Sequence, residues 1–219
     1  MIDVSIIILS HNNEKYLGRA IRSCLKQSMD KDRYEIIVID DKSTDNSREI
    51  LRDTKGIVPI YLKHNVGVGK ASNIGIKRAL GSFVIRVDSD DYINEHTLLI
   101  MTEILMKNKD IGFVYPDHLL VDESERVVGK GTMDTIEKLY RHGAGIMFRK
   151  SNLEAIGLYD PKFRNAEDHE LITRYLKNFN GYHLRLPLYR YRQHKGQMTG
   201  DKADRKKWEQ KANAKNSNR

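Results

Sequence analysis

Ser82-Phe83-Val84-Ile85-Arg86-Val87-Asp88-Ser89-Asp90-Asp91 is the stretch on which the reading of this chain turns. Residues 82–87 alternate apolar side chains and predict a strand. The strand runs directly into three carboxylates that repel one another. Such a cluster is costly unless a positive group sits among it. A hard divalent cation bridging phosphates is one such group, because Mg2+ and Mn2+ take one or two protein carboxylates together with phosphate oxygens. A solvated acidic turn is the plainer alternative, and the rest of the chain decides between the two.

Working outward, strands and helices alternate. Val4 to Leu9 is a continuous apolar run, as in a strand buried on both faces. Glu14 to Gln27 has helical apolar spacing through Leu17, Ala20, Ile21, Cys24 and Leu25. Tyr34 to Ile39 is a second buried strand, followed by Asp40-Asp41. Ser43, Thr44 and Asp45 resemble helix-capping chemistry before a helix through Ile50-Leu51. Val58 to Leu62 is a third strand, and Gly67 to Leu80 a helix opened by glycine. This alternation predicts a mostly parallel sheet with helices on both faces. Further on, Thr97 to Lys107 reads as a helix, 112–115 and 119–122 as two strands, and Glu123-Ser124-Glu125 as an exposed turn. Residues 143–149 read as a strand, 167–177 as a helix and 184–192 as an edge strand.

With 219 residues the chain has room for one sizeable α/β domain. No apolar run reaches membrane-spanning length. Met1 leads straight into a strand pattern, so no cleavable leader is expected. The single cysteine, Cys24, lies on the apolar face of a helix and reads as a core residue. A cytoplasmic location follows as the default. The formal charge of +8 is uneven. Arg185, Arg190, Arg192 and Lys195 stand without a nearby acid, and seven bases face three acids from Gly200 onward. The excess is thus C-terminal and not a nucleic-acid-binding face spread over the fold. We read residues 1–199 as one domain and 200–219 as a basic, flexible tail, too poor in apolar side chains to offset the entropy of ordering. Trp208, amid Arg205, Lys206, Lys207 and Lys211, is the exception, and suggests a peripheral contact with an anionic membrane.

In an open parallel sheet, ligands bind at the carboxyl ends of the strands. Polar residues stand at three such ends here: Ser10-His11-Asn12, Asp40-Asp41 and Asp88 to Asp91. Gly67-Val68-Gly69-Lys70 supplies backbone N–H groups and a lysine at a helix start, where phosphates bind well. It is neither a Walker loop nor the dinucleotide glycine fingerprint.

Val4 to Leu17, Ile36 to Ser47, Asn65 to Gly75, Asp88 to Asp91, Gly143 to Arg149 with Gly157-Leu158-Tyr159-Asp160, and Glu167-Asp168 together resemble the inverting family 2 glycosyltransferases of the GT-A fold. Order and spacing agree over nearly all of residues 3–199. The resemblance implies a GT-A-type nucleotide-diphospho-sugar transferase fold, with a small antiparallel portion near the acceptor side. It implies a nucleotide-sugar donor, a UDP-sugar first, and a glycan or lipid-linked acceptor. Ser10, His11, Asn12, Glu14, Asp40, Lys70, Asp88 and Asp90 would bind the donor, Asp40 through the base. Asp90, Asp91 and His194 would hold Mn2+ or Mg2+. Asp168, with Glu167, would deprotonate the acceptor hydroxyl. One position departs from the pattern: Ser72 stands where many members carry arginine, and Lys70, Arg86 or the Arg190/Arg192 pair are the candidates to replace its charge.

Two other classes are weighed. A sugar-phosphate nucleotidyltransferase should open with a glycine-rich basic loop after its first strand, yet no glycine occurs before Gly18. A non-catalytic scaffold with the same fold has no need for acids at every expected position.

Overall fold

The computed structural model describes residues 1–140, 143–163, 165–195 and 202–217. The N-terminal half is the expected alternation: β1 (Val4–Ser10), α1 (Glu14–Leu25), β2 (Tyr34–Asp40), α2 (Ser47–Asp53), β3 (Val58–Tyr61), α3 (Val68–Arg78) and β4 (Phe83–Asp88). β1 lies between β2 and β4, and all three run parallel. β3 continues the parallel set beyond β2. The second half comprises β5 (Tyr92–Ile93), α4 (Thr97–Lys107), β6 (Ile111–Val121), β7 (Val127–Gly131), α5 (Ile136–Tyr140), β8 (Met147–Arg149), α6 (Lys150–Ala155), α7 (Glu167–Leu176), β9 (Asn180–Arg192) and α8 (Lys202–Ser217). The strand order is β3-β2-β1-β4-β8-β6-β9-β5, with β7 paired to β6. β8 runs antiparallel to both β4 and β6, pairing with residues 83–85 of the strand that ends in the acids.

The apolar runs of the central strands follow from burial on both faces, because successive side chains point to opposite sides. Ile6, Ile8, Leu17, Ile21, Leu98 and Met101 pack on one side. Ile7, Ile37, Ile39, Ile76, Leu171 and Tyr175 pack on the other. Two cores thus clamp one sheet, and the polar strand ends emerge along one edge.

Three local expectations are corrected. Residues 111–121 form one strand, β6, where two were expected; its register shifts at Pro116/Asp117, so a bulge and not a break separates the two apolar runs. β9 is longer than the expected edge strand and lies between β6 and β5 at Tyr189 and Arg190. The flexible tail is replaced by helix α8, which packs on α7. Trp208 reaches the Phe163 ring with centroids 5.7 Å apart, and Ala212 is fully buried. Lys215 adds ion pairs to Asp160 and to Glu170 of α7. The boundary expected between 199 and 200 lies outside the described residues.

Gly81 fixes where β4 meets β1. A Cβ there would stand 2.6 Å from the Ser5 amide nitrogen and 2.7 Å from the Val4 carbonyl carbon, both unyielding backbone atoms. Gly81→Ala is expected to destabilise the chain by about 1–3 kcal/mol, the usual scale for overpacking. Urea unfolding checks this; a midpoint equal to that of the wild type would contradict so close an approach.

Candidate active site

The carboxyl ends of β1, β2 and β4 open into a cleft of about 840 Å³, within the usual range for small-molecule sites. Ser10, His11, Asn12 and Glu14 line its wall beside β1, and Asp88 to Asp91 its floor. Glu167 and Asp168 enter from the first turn of α7, and His194 from the end of β9. The sheet therefore gathers residues up to about 180 positions apart into one concavity.

Arg86 organises the floor. Its side chain is buried beside Asp168, donating from Nη1 to Oδ1 at 2.8 Å and from Nη2 to Oδ2 at 3.0 Å. Its Nε stands 3.1 Å from Asp88 Oδ1, off the hydrogen-bonding direction. Burial works against the guanidinium charge, but Asp168 and Asp88 more than offset it and hold Arg86 protonated. Asp168 also accepts the Tyr159 hydroxyl at 3.1 Å. Gly143 lies so close that a Cβ there would land on the Asp168 carboxylate.

The neighbouring acids respond to this crowding. Burial, then the charge of Asp168, pushes Glu167 up to about 7. Burial also pushes Asp88 up to about 6, Arg86 opposing and Asp90 and Asp168 adding to the rise. Asp91 is driven well above the usual carboxylate range, first by burial. Its oxygens are used inside the protein: Oδ1 accepts the Arg192 amide and Oδ2 the Tyr189 hydroxyl, both at 2.8 Å. Asp91 therefore holds the acidic loop in shape, each of its oxygens engaged by a donor of β9.

Asp90 does face outward. Its Oδ2 lies 3.0 Å from His194 Nε2, and the His194 ring packs against Tyr16. A carboxylate beside an imidazole suits a divalent cation. Among the described residues no group of three or more His, Cys, Asp or Glu side chains is spaced to hold an ion by itself.

Two expected donor residues lie elsewhere. Asp40 is fully buried beneath the cleft, bound by Arg48 Nε at 2.6 Å and near the Ser43 amide at 3.3 Å. Asp41 lines the cleft instead, its carboxylate accepting the amides of Val66 and Gly67. Successive residues at a strand end point opposite ways, so a one-residue step exchanges wall for underside. Lys70 is exposed and outside the lining, whereas Val68 and Ala71, one helical face away, contribute to it. Ser72 is buried with its hydroxyl unpartnered. Of the candidates to replace the missing arginine, Arg86 alone lines the cleft. Arg192 is consumed below it, donating from Nε to the Asp90 carbonyl at 2.9 Å and lying over the Tyr16 ring.

Sequence reasoning missed Asn13, whose Nδ2 donates to Ser89 Oγ at 2.8 Å, and Asp45, whose Oδ2 accepts the Glu14 amide at 2.9 Å. Asp45 Oδ1 also accepts the Ser47 amide at 3.0 Å, one residue before the N-cap Asn46. It missed Tyr159 as well, although the Gly157 to Asp160 stretch had drawn attention.

The Glu167 environment predicts a pH signature. Its folded-state value lies above the unfolded one near 4.5, so its contribution to stability is present in acid and lost as pH rises through about 7. Glu167→Gln removes the repulsion with Asp168 and should gain on the wild type by about 1–3 kcal/mol at pH 8, and by much less at pH 5. Thermal melts at both pH values check this; a difference independent of pH would contradict it.

Comparison with known proteins follows the same lines. TarS of Staphylococcus aureus, a poly(ribitol-phosphate) beta-N-acetylglucosaminyltransferase, is 28% identical over 193 residues, which cover 79% of this chain and 32% of TarS. The chain thus spans about a third of that relative's length. The TarS 1–349 structure in complex with UDP-GlcNAc superimposes with a TM-score of 0.81 at 24% identity, covering 97% of this chain and 66% of that one. The Pyrobaculum calidifontis mannosyltransferase PcManGT, bound to GDP-Man and Mn2+, gives 0.71 at 18% identity, covering 90% of this chain and 58% of that one. Both likenesses confirm a GT-A glycosyltransferase fold. The family model described as Glycosyl transferase family 2 matches residues 5–157, well over half of the sequence, and the chain belongs to that family.

Proposed function

We propose that this chain transfers a sugar from a nucleotide-diphosphate donor to an acceptor hydroxyl, with inversion at the anomeric carbon. The observation that carries the reading is one cleft in which Asp88, Asp90 and His194 stand near a second acidic pair, Glu167 and Asp168, joined to them through Arg86. The first group suits a cation and a diphosphate; the second suits proton abstraction. Ser10, His11, Asn12 and Asp41 line the side of the cleft where the nucleotide would lie.

Asp90 and His194 fit a divalent cation, Mn2+ or Mg2+, which when bound supplies positive charge to the departing diphosphate. Asp168 takes the acceptor proton while the acceptor oxygen bonds to the anomeric carbon and the carbon–diphosphate bond breaks. Arg86 aims Asp168 through both of its terminal nitrogens. Glu167, shifted to about 7, is only partly ionised at neutral pH. A single displacement inverts the centre.

The relationship to TarS makes UDP-N-acetylglucosamine the first donor to try. It also makes a phosphate-linked polyol polymer the first acceptor among glycan and lipid-linked candidates. No described helix is long and apolar enough to cross a membrane. A cytoplasmic site of action, with the basic C-terminal sequence near an anionic membrane, completes the proposal.

Two variants test it. Asp90→Ala should abolish cation-dependent UDP binding in isothermal titration with Mn2+, and unchanged affinity and turnover would remove Asp90 from the site. Asp168→Asn should leave UDP affinity nearly intact and lower turnover of UDP-N-acetylglucosamine about 100-fold or more. Near wild-type turnover in that variant would transfer the base role elsewhere.

A further inference from the structure

We propose that Lys215 of α8 is a positioning residue for the acidic pair at the start of α7, so that the C-terminal helix belongs to the transfer machinery. This rests on the reading of Asp168 as the base. Lys215 Nζ reaches Asp160 Oδ2 at 2.6 Å and Glu170 Oε1 at 2.5 Å. Glu170 is fully buried one turn into α7 and is also held by Arg174, through Nε at 2.8 Å and Nη2 at 2.7 Å. Arg174 Nη2 in turn donates to the Leu158 carbonyl at 2.6 Å. One cation thus ties the loop before α7 to the helix itself.

That loop needs holding. Leu158 and Ala166 bracket it with φ of 62° and 59°, a left-handed conformation unfavourable for residues with a Cβ. Such strain persists only where the surroundings over-determine it. Tyr159, directly after Leu158, places its hydroxyl on Asp168. Asn73 grips the Tyr159 backbone from the other side, accepting its amide at 2.9 Å and donating to its carbonyl at 2.8 Å. Ala166 is the residue from which α7 starts, immediately before Glu167 and Asp168. The base is therefore aimed by a loop that is fastened by α3 on one side and α8 on the other.

The remaining α8 contacts reach the same segment. Trp208 packs on Phe163 of the loop, and Asn213 Oδ1 lies 2.8 Å from His169 Nε2 on α7. The polar surface of α8, which alone argues for a solvated tail, is matched by acids at Asp160 and Glu170. Burial of Glu170 without Lys215 would leave its charge shared with Arg174 alone.

The chain has one tryptophan, so its fluorescence reports α8 docking directly. Lys215→Met and Lys215→Arg should be compared with the full-length wild type. Hydrolysis of UDP-N-acetylglucosamine is followed for kcat and KM, UDP and Mn2+ affinity by titration, and Trp208 emission for docking. Lys215→Met is expected to lower kcat about tenfold, with donor KM and UDP affinity within about twofold, because misplacing a catalytic group costs rate more than binding. Lys215→Arg should recover most of kcat. Unchanged kcat in Lys215→Met, whether or not Trp208 emission shifts, overturns the proposal, as does a parallel loss of UDP affinity. Hydrogen exchange of amides 158–170 reads the same contact without turnover: Lys215→Met should accelerate it, and unchanged exchange overturns the proposal. A wild type that does not hydrolyse UDP-N-acetylglucosamine, with exchange responding to Lys215→Met, would count against that donor while retaining the positioning contact.

Discussion

The buried guanidinium of Arg86 is the constraint around which the site is built. Five acids converge on the cleft floor and the start of α7: Asp88, Asp90, Asp91, Glu167 and Asp168. Left to themselves, buried carboxylates this close would protonate. Arg86 reaches Asp168 through both of its terminal nitrogens and approaches Asp88 through the third. It is carried on β4, the strand that also delivers the acidic loop, so the charge and its counter-charge arrive on one rigid element. The acids it does not pair show the consequence: Glu167 rises to about 7, and Asp91 is bound by internal donors.

This arrangement explains why the fold needs its mixed sheet. β8, antiparallel to β4, follows Gly145, whose amide donates to the Arg86 carbonyl at 2.8 Å. β9 crosses back to place Tyr189 and Arg192 under the acidic loop and His194 over it. The parallel half thus makes one wall of the cleft, and the antiparallel half shapes the acids and delivers α7. The β4–β8 pair joins the two halves in one sheet, and Arg86 to Asp168 and Lys15 to Glu123 tie them further.

Much of this was legible in the sequence, and the reasons for the misses are physical. The parallel half was readable because β1, β2 and β4 are apolar on both faces, which fixes strands without knowledge of their partners. The cluster at Asp88 to Asp91 was readable from residue type and its place after a strand, whereas the pair at 167–168 stood out only through the family resemblance. Side-chain direction was not. Asp40 and Asp41 are adjacent and chemically identical, and only the geometry of the strand end decides which faces the cleft. Asp91 and Asp90 differ likewise, because Tyr189 and Arg192 come from about 100 residues away. Helix α8 was misjudged because its partners, Phe163, Asp160 and Glu170, are distant in sequence, and a lysine-rich segment looks solvated until its acids are known. Local pattern reports burial well and reports pairing poorly.

A structure of the chain with UDP and Mn2+ tests the central claim most directly. The account predicts the ion between Asp90 and His194, the diphosphate against it, the uracil beside Asp41, and the open end of the diphosphate facing Asp168. A nucleotide seated near Lys70, or an ion held away from Asp90, would contradict it.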